Sequence, residues 1–162
     1  MTSSLIVPVL ETDFTVDLED MLIQYINGNW FATEPLVTEI GFRPGLFNYH
    51  RPYEVCCLQT VTVCQKLNTG ISYKFLTDVP VAMRARRLTT DEDPTKPLAV
   101  LAQMEEELQR IILSYEMYQI PGIDKLIFDG FDRVYNMNDT YAKSDWSSIT
   151  RVKMLYQKVR SS

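Results

Sequence analysis

The sequence predicts an α+β fold, a mostly antiparallel sheet packed by an N-terminal helix and a long central helix, on three observations. Apolar residues recur at three- and four-residue steps between Leu98 and Tyr115. Other segments alternate, as in the stretch where Val152, Met154 and Tyr156 are apolar while Arg151 and Lys153 take the other face. The order is helix, several strands, long helix and closing strands, not a strict strand-helix alternation.

The first helix is expected in "TVDLEDMLIQYINGNW". Thr15 or Asp17 is placed to cap its start, Leu18, Met21, Leu22, Tyr25 and Ile26 share one face, and Asn27 and Gly28 stop it. The next stretch is rich in breakers (Pro35, Gly41, Pro44, Gly45), which leaves room for a short strand at Leu36 to Phe42 inside a loop or arm at about 33–52. "EVCCLQTVTVCQKL" reads as one β-branched strand, turned back by "NTG" at 68–70, since Asn and Gly accept the positive φ of a tight hairpin. The returning strand continues past Pro80 into "VAMRARRL", with Val81, Met83 and Ala85 on one side and Arg84 and Arg86 on the other.

"TTDEDPTKP" is a polar linker whose Pro97 suits the first turn of a helix, where a missing N–H costs nothing. The helix it opens carries Leu98, Leu101, Met104, Leu108, Ile111, Ile112 and Tyr115 on one face and is expected to end at the "IPG" of 120–122. About 20 helical residues run roughly 30 Å, enough to cross a sheet. "DKLIFDGFDRVYNM", with a bulge expected at Gly130, and "WSSITRVKMLYQKV" form the closing strands.

With 162 residues, of which 46% are hydrophobic, the chain fits a single domain spanning 1–162 that buries roughly 70% of its unfolded surface. A net charge of −5 argues against nonspecific coating of nucleic acid, and no sequence-specific nucleic-acid motif is present. Cys56, Cys57 and Cys64 lack zinc spacing and read as buried reduced thiols, in keeping with a soluble protein of a reducing interior. The stretch Leu5 to Leu10 is too short and lacks the basic leader of a signal peptide, and no run approaches the roughly 20 residues that span a bilayer.

No residue pattern points to catalysis, a metal or a cofactor. His50, the only histidine, sits in "NYHRPYE" with no orienting carboxylate that the sequence can place. "TTDEDPTKP" lacks calcium-loop spacing, and neither glycine-rich phosphate loops nor a nucleophile elbow occurs. Glu105, Glu106 and Glu107 are consecutive, so they fan around the helix and read as its wet face or as a contact with a neighbouring subunit. "RARR", Arg84 to Arg87, is the one concentrated cationic feature, either an ordinary charged face, a surface for carboxylates of a partner or, last because the net charge opposes it, a contact with nucleic acid.

The N-terminal helix, the central hairpin, the long amphipathic helix and the closing "GIDKLIFDGFDRV" and "WSSITRVKMLYQKV" resemble the tail-terminator and tail-completion proteins of the neck in tailed bacterial and archaeal viruses, over residues 14–159. The resemblance implies a structural, non-enzymatic virion protein without cofactor. It implies a homo-oligomeric ring, commonly a hexamer, that caps the tail tube and joins it to the head connector after assembly in the host cytoplasm. Segment 33–52 departs from that arrangement, as a neck-specific arm or as the mark of another family. Under the ring reading, Arg84, Arg86, Arg87, Glu106, Glu107, Arg151 and Lys153 are the candidate subunit or partner contacts. Two other readings stand beside it: a cytoplasmic adaptor or ligand-binding module, and an enzyme with dispersed catalytic residues.

Overall fold

The computed structural model describes residues 14–45, 51–58, 65–68, 72–86, 95–135 and 146–159. Helix α1 spans Phe14–Gly28, so Thr15 and Asp17 lie inside its first turn rather than at the cap. Leu18, Leu22, Ile23 and Ile26 are buried, and Met21 and Tyr25 pack at the edge of the core, which is the apolar face expected plus Ile23.

The expected strand at Leu36–Phe42 is displaced. Glu39 Oε2 accepts from the Leu36 N–H at 3.0 Å while the Glu39 N–H returns to the Leu36 carbonyl at 2.9 Å, closing a 3-10 turn over Val37–Glu39. Strand β1 then runs over Ile40–Pro44. Part of the breaker-rich segment is therefore sheet, and β1 pairs in parallel with β2 (Tyr53–Cys57), with Ile40 opposite Tyr53.

The expected single strand 54–67 divides into β2 and β3 (Gln65–Asn68), and both pair antiparallel with β4 (Ser72–Ala85). Cys57 faces Val81 but Gln65 faces Leu76, so three more residues pass on the β2–β3 side than on β4. The "NTG" turn falls largely outside the described residues, as do Cys64 and His50.

Helix α2 spans Lys96–Leu113, with Pro97 in its first turn. It stops before the expected "IPG" because Tyr115 ties the chain into a turn. Its hydroxyl donates to the Ile123 carbonyl at 2.5 Å and accepts from the Ile120 N–H at 3.1 Å. Tyr118 and Gly122 complete the turn in the left-handed region, at φ 67° and 86°.

Strands β5 (Ile123–Ile127) and β6 (Asp132–Tyr135) pair with one edge of β7 (Trp146–Val159), whose other edge pairs with β4 over fourteen residues. Ile127 faces Lys153 and Asp132 faces Ile149, so one extra residue lies between β5 and β6. This is the expected bulge, with Gly130 at φ +80°. All seven strands form one sheet of order β1-β2-β4-β7-β5, with β3 in line with β2 and β6 in line with β5.

Both helices cover the same face. Leu101, Met104, Leu108, Ile111 and Ile112 of α2 join Val79, Val81 and Met83 of β4 and Val152, Met154 and Tyr156 of β7 in one core with α1. The last strand thus puts its alternating apolar residues against the helices, as its pattern predicts. No helix among the described residues is long and apolar enough to cross a membrane.

Candidate assembly surface

Of the cationic run 84–87, Arg84 is buried. Its position in β4 points away from the helices, where Nη2 donates to Glu54 Oε2 of β2 at 3.0 Å, with side-chain exposures of 9% and 1%. The expected role of Arg84 as an open contact is therefore corrected: an internal ion pair takes it up. Arg86 is half-buried, with Nη2 donating to the Arg51 carbonyl at 3.4 Å, and Arg87 lies outside the described residues. Beside the ion pair, Cys56 is fully buried, and burial, helped by Glu54, pushes its thiol up to about 12. Burial raises the Cys57 thiol as well. Cys56 and Cys57 are free and buried, as expected of them.

The three glutamates of α2 divide by environment, and here too the fanned wet face needs correction. Glu106 is exposed. Glu107 is buried, and its carboxylate accepts from the backbone N–H groups of Phe31 at 2.5 Å and Ala32 at 2.6 Å and from Arg110 Nε at 2.6 Å. Burial pushes that carboxyl up, but the Arg110 hydrogen bond and the two backbone donors outweigh it and hold the group below its ordinary value. Glu107 thus fastens the loop after α1 onto α2 instead of facing a neighbour. Glu105, buried on the sheet side, accepts from Arg133 Nε at 2.9 Å and Ser148 Oγ at 2.7 Å. Arg151 is exposed and Lys153 half-buried, both on the sheet face away from the helices, so they remain available as contacts.

The two ends of the sheet supply features that composition did not signal. At the first end, a groove of about 840 Å³ runs along β1, lined by all five of its residues together with Thr38 and Arg51. The Arg51 side chain crosses Gly41 to donate to the Thr38 carbonyl at 2.8 Å, and Gly41 leaves room for it: a Cβ there would lie 3.2 Å from Arg51 Cδ. Phe42 packs edge-on against Trp30, with centroids 5.4 Å apart, and Arg43 is exposed on the opposite face.

Hydrogen-bond alternation decides which main-chain groups of β1 face out. Gly45 donates to the Cys57 carbonyl at 2.8 Å, so the parallel ladder engages Gly41, Arg43 and Gly45 and turns Ile40, Phe42 and Pro44 outward. The Ile40 N–H is taken by the Val37 carbonyl, and proline has none. Phe42 therefore presents both its N–H and its carbonyl at the open edge, without a main-chain partner among the described residues.

The other end follows the same arithmetic. Leu58 donates to Pro80 and Arg86 to Pro52, so even-numbered residues of β4 serve β2 and odd-numbered ones serve β7. On β7 the even positions are then spent on β4, and Ile149 and Ser147 bond Asp132 and Val134 of β6. Arg133 is left with its main-chain N–H and carbonyl pointing out of the sheet. Asp129 and Asp132, both exposed, line a hollow of about 330 Å³ at the bulge between β5 and β6.

Among the described residues no cluster of His, Cys, Asp and Glu could hold a metal ion. No sequence profile of a known protein family matches the chain, and no curated protein matches it.

Proposed function

We propose that the chain is a structural subunit of a virus particle, acting in the neck or tail as a ring that caps or completes the tail tube and joins it to the head connector. The reading draws on the element order of helix, strands, long helix and closing strands, carried on an α+β fold. One observation carries it furthest. The strand order sets β1 and β5–β6 at opposite ends of the sheet with outward main-chain groups, and both helices pack on a single face of it, an arrangement suited to lateral repetition. The partners are other copies of the chain, then the tube below and the connector above.

The test is location. Purified particles probed by labelled antibody and electron microscopy, with copy number from quantitative mass spectrometry, should show one ring at the neck or tail end. Absence of the protein from particles overturns the reading.

A further inference from the structure

We propose that copies of this chain join head to tail by strand addition, the β1 edge of one receiving the β6 edge of the next with Arg43 set opposite Asp132. The inference deepens the ring reading and rests on it.

Three independent observations converge. The first is the pair of open edges already described: Phe42 on β1 and Arg133 on β6 each turn an N–H and a carbonyl outward with no main-chain partner among the described residues. An exposed edge with such groups is a template for another strand, and a groove along all five residues of β1 gives that strand room.

The second is direction. Strand β2 runs parallel to β1 and antiparallel to β4, β4 antiparallel to β7, and β7 antiparallel to β6, so β1 and β6 run in opposite senses within one sheet. Copies related by rotation about an axis along the strands keep their sense. The new pair at the junction is therefore antiparallel, the arrangement in which two facing residues exchange both main-chain bonds.

The third is charge in register. One cross-strand row reads Arg43, Cys56, Ala82, Ile149, Asp132, each residue directly paired with the next. It begins with an exposed guanidinium at one edge and ends with an exposed carboxylate at the other, and both lie on the face away from the helices. The adjacent row runs Phe42, Val55, Met83, Ser148, Arg133. Continuing the sheet into a second copy without a slip brings Phe42 opposite Arg133 as the bonded pair. Arg43 and Asp132 then form the neighbouring non-bonded pair, with Cα atoms about 4.5 Å apart. Main-chain bonds hold the two edges, and the charge pair fixes their register. Because the contact joins two different surfaces, the growing array still offers one free edge of each kind, at its two ends, until rotation closes a ring.

Sedimentation of the full-length chain over a concentration series should show reversible self-association that weakens with salt. Arg43→Asp and Asp132→Arg, both at exposed positions, should each weaken it on the order of tenfold, and the two together in one chain should restore it. A second measurement reads the register directly. The chain carrying both Arg43→Cys and Asp132→Cys should form disulfide-linked multimers on mild oxidation, which neither single variant forms, because the spacing suits a disulfide. No self-association, or reversals that fail to rescue one another, overturns the contact, as does a double-cysteine chain that never links. Association that persists through both reversals removes this contact while leaving the ring reading intact. Absence from particles removes the ring reading, while the cysteine trap still reports on the edges alone.

Discussion

Arg84 and Glu54 face each other across the β2–β4 ladder, guanidinium Nη2 to carboxylate Oε2 at 3.0 Å, on the sheet face away from the helices. Thirty positions separate them in sequence, and both are buried. Removing one charge strands the other in a poorly solvated place. Arg84→Met should therefore cost about 3–5 kcal/mol, while the pair of changes Arg84→Met and Glu54→Leu should cost less than Arg84→Met alone. Urea midpoints on the three chains check this. Reversal of Arg84 to glutamate sets two buried carboxylates side by side, so loss of cooperative folding is the expected result rather than a selective defect in assembly.

The Glu107 carboxylate gives a prediction in pH. Its pKa is lowered in the folded state, so its contribution is fully present above the unfolded value of about 4.3 and is lost as pH falls through the folded value. The wild-type chain should lose stability in that acid window more steeply than Glu107→Gln. At neutral pH the same substitution should cost about 1–3 kcal/mol, because two backbone donors and Arg110 lose a charged acceptor. Glu106→Gln, at an exposed position, should stay within about 0.5 kcal/mol. Denaturant titrations at several pH values separate the two.

Leu101, Leu108 and Ile112 line the α2 face that meets the sheet, all but fully buried. Alanine at any of them should cost about 2–5 kcal/mol, read from the thermal or urea transition. Three near-neutral results would mean that α2 is not packed on β4 and β7.

Cys56 and Cys57 should resist a thiol reagent at neutral pH and react once the chain is unfolded. Burial removes access to both, and it keeps the Cys56 thiol protonated up to about 12. Peptide-level mass spectrometry of the labelled protein before and after denaturant reads each position. Fast native labelling at Cys56 would place that sheet face in solvent.

The sequence made the periodic elements legible. Helix α2 and the closing strand announce themselves because one side of each is apolar at the right period, and the Gly130 bulge shows as a glycine inside a strand pattern. What it hid was pairing. The parallel β1–β2 ladder joins segments whose own patterns are broken by Pro35, Gly41 and Pro44, and nothing local says that such a stretch lies beside Tyr53. Arg84 looked like part of an exposed stripe because its carboxylate sits on another strand; only the hairpin register brings Glu54 opposite. Arg43 and Asp132 stay hidden for the same reason, since nothing in the sequence relates one to the other until five strands are placed in order. Glu107 could have been suspected. It stands one helical turn before Arg110, and the apolar residues next to it leave it near the core side of α2.

The position of β7 also bears on how the protein is made. Every residue of β4 bonds or faces a residue of β7, yet all the other described elements precede β7 in the chain, and β4 is complete before α2 begins. On a ribosome, then, β4 waits with one long edge unpaired while α2, β5 and β6 emerge, and β5 and β6 themselves have no strand to pair with until β7 arrives. Such non-local pairing is slow, and a waiting edge is where nascent chains stick to each other. The yield of folded protein should thus depend on synthesis rate and on chaperones that shield β4 more than on the stability of the finished fold.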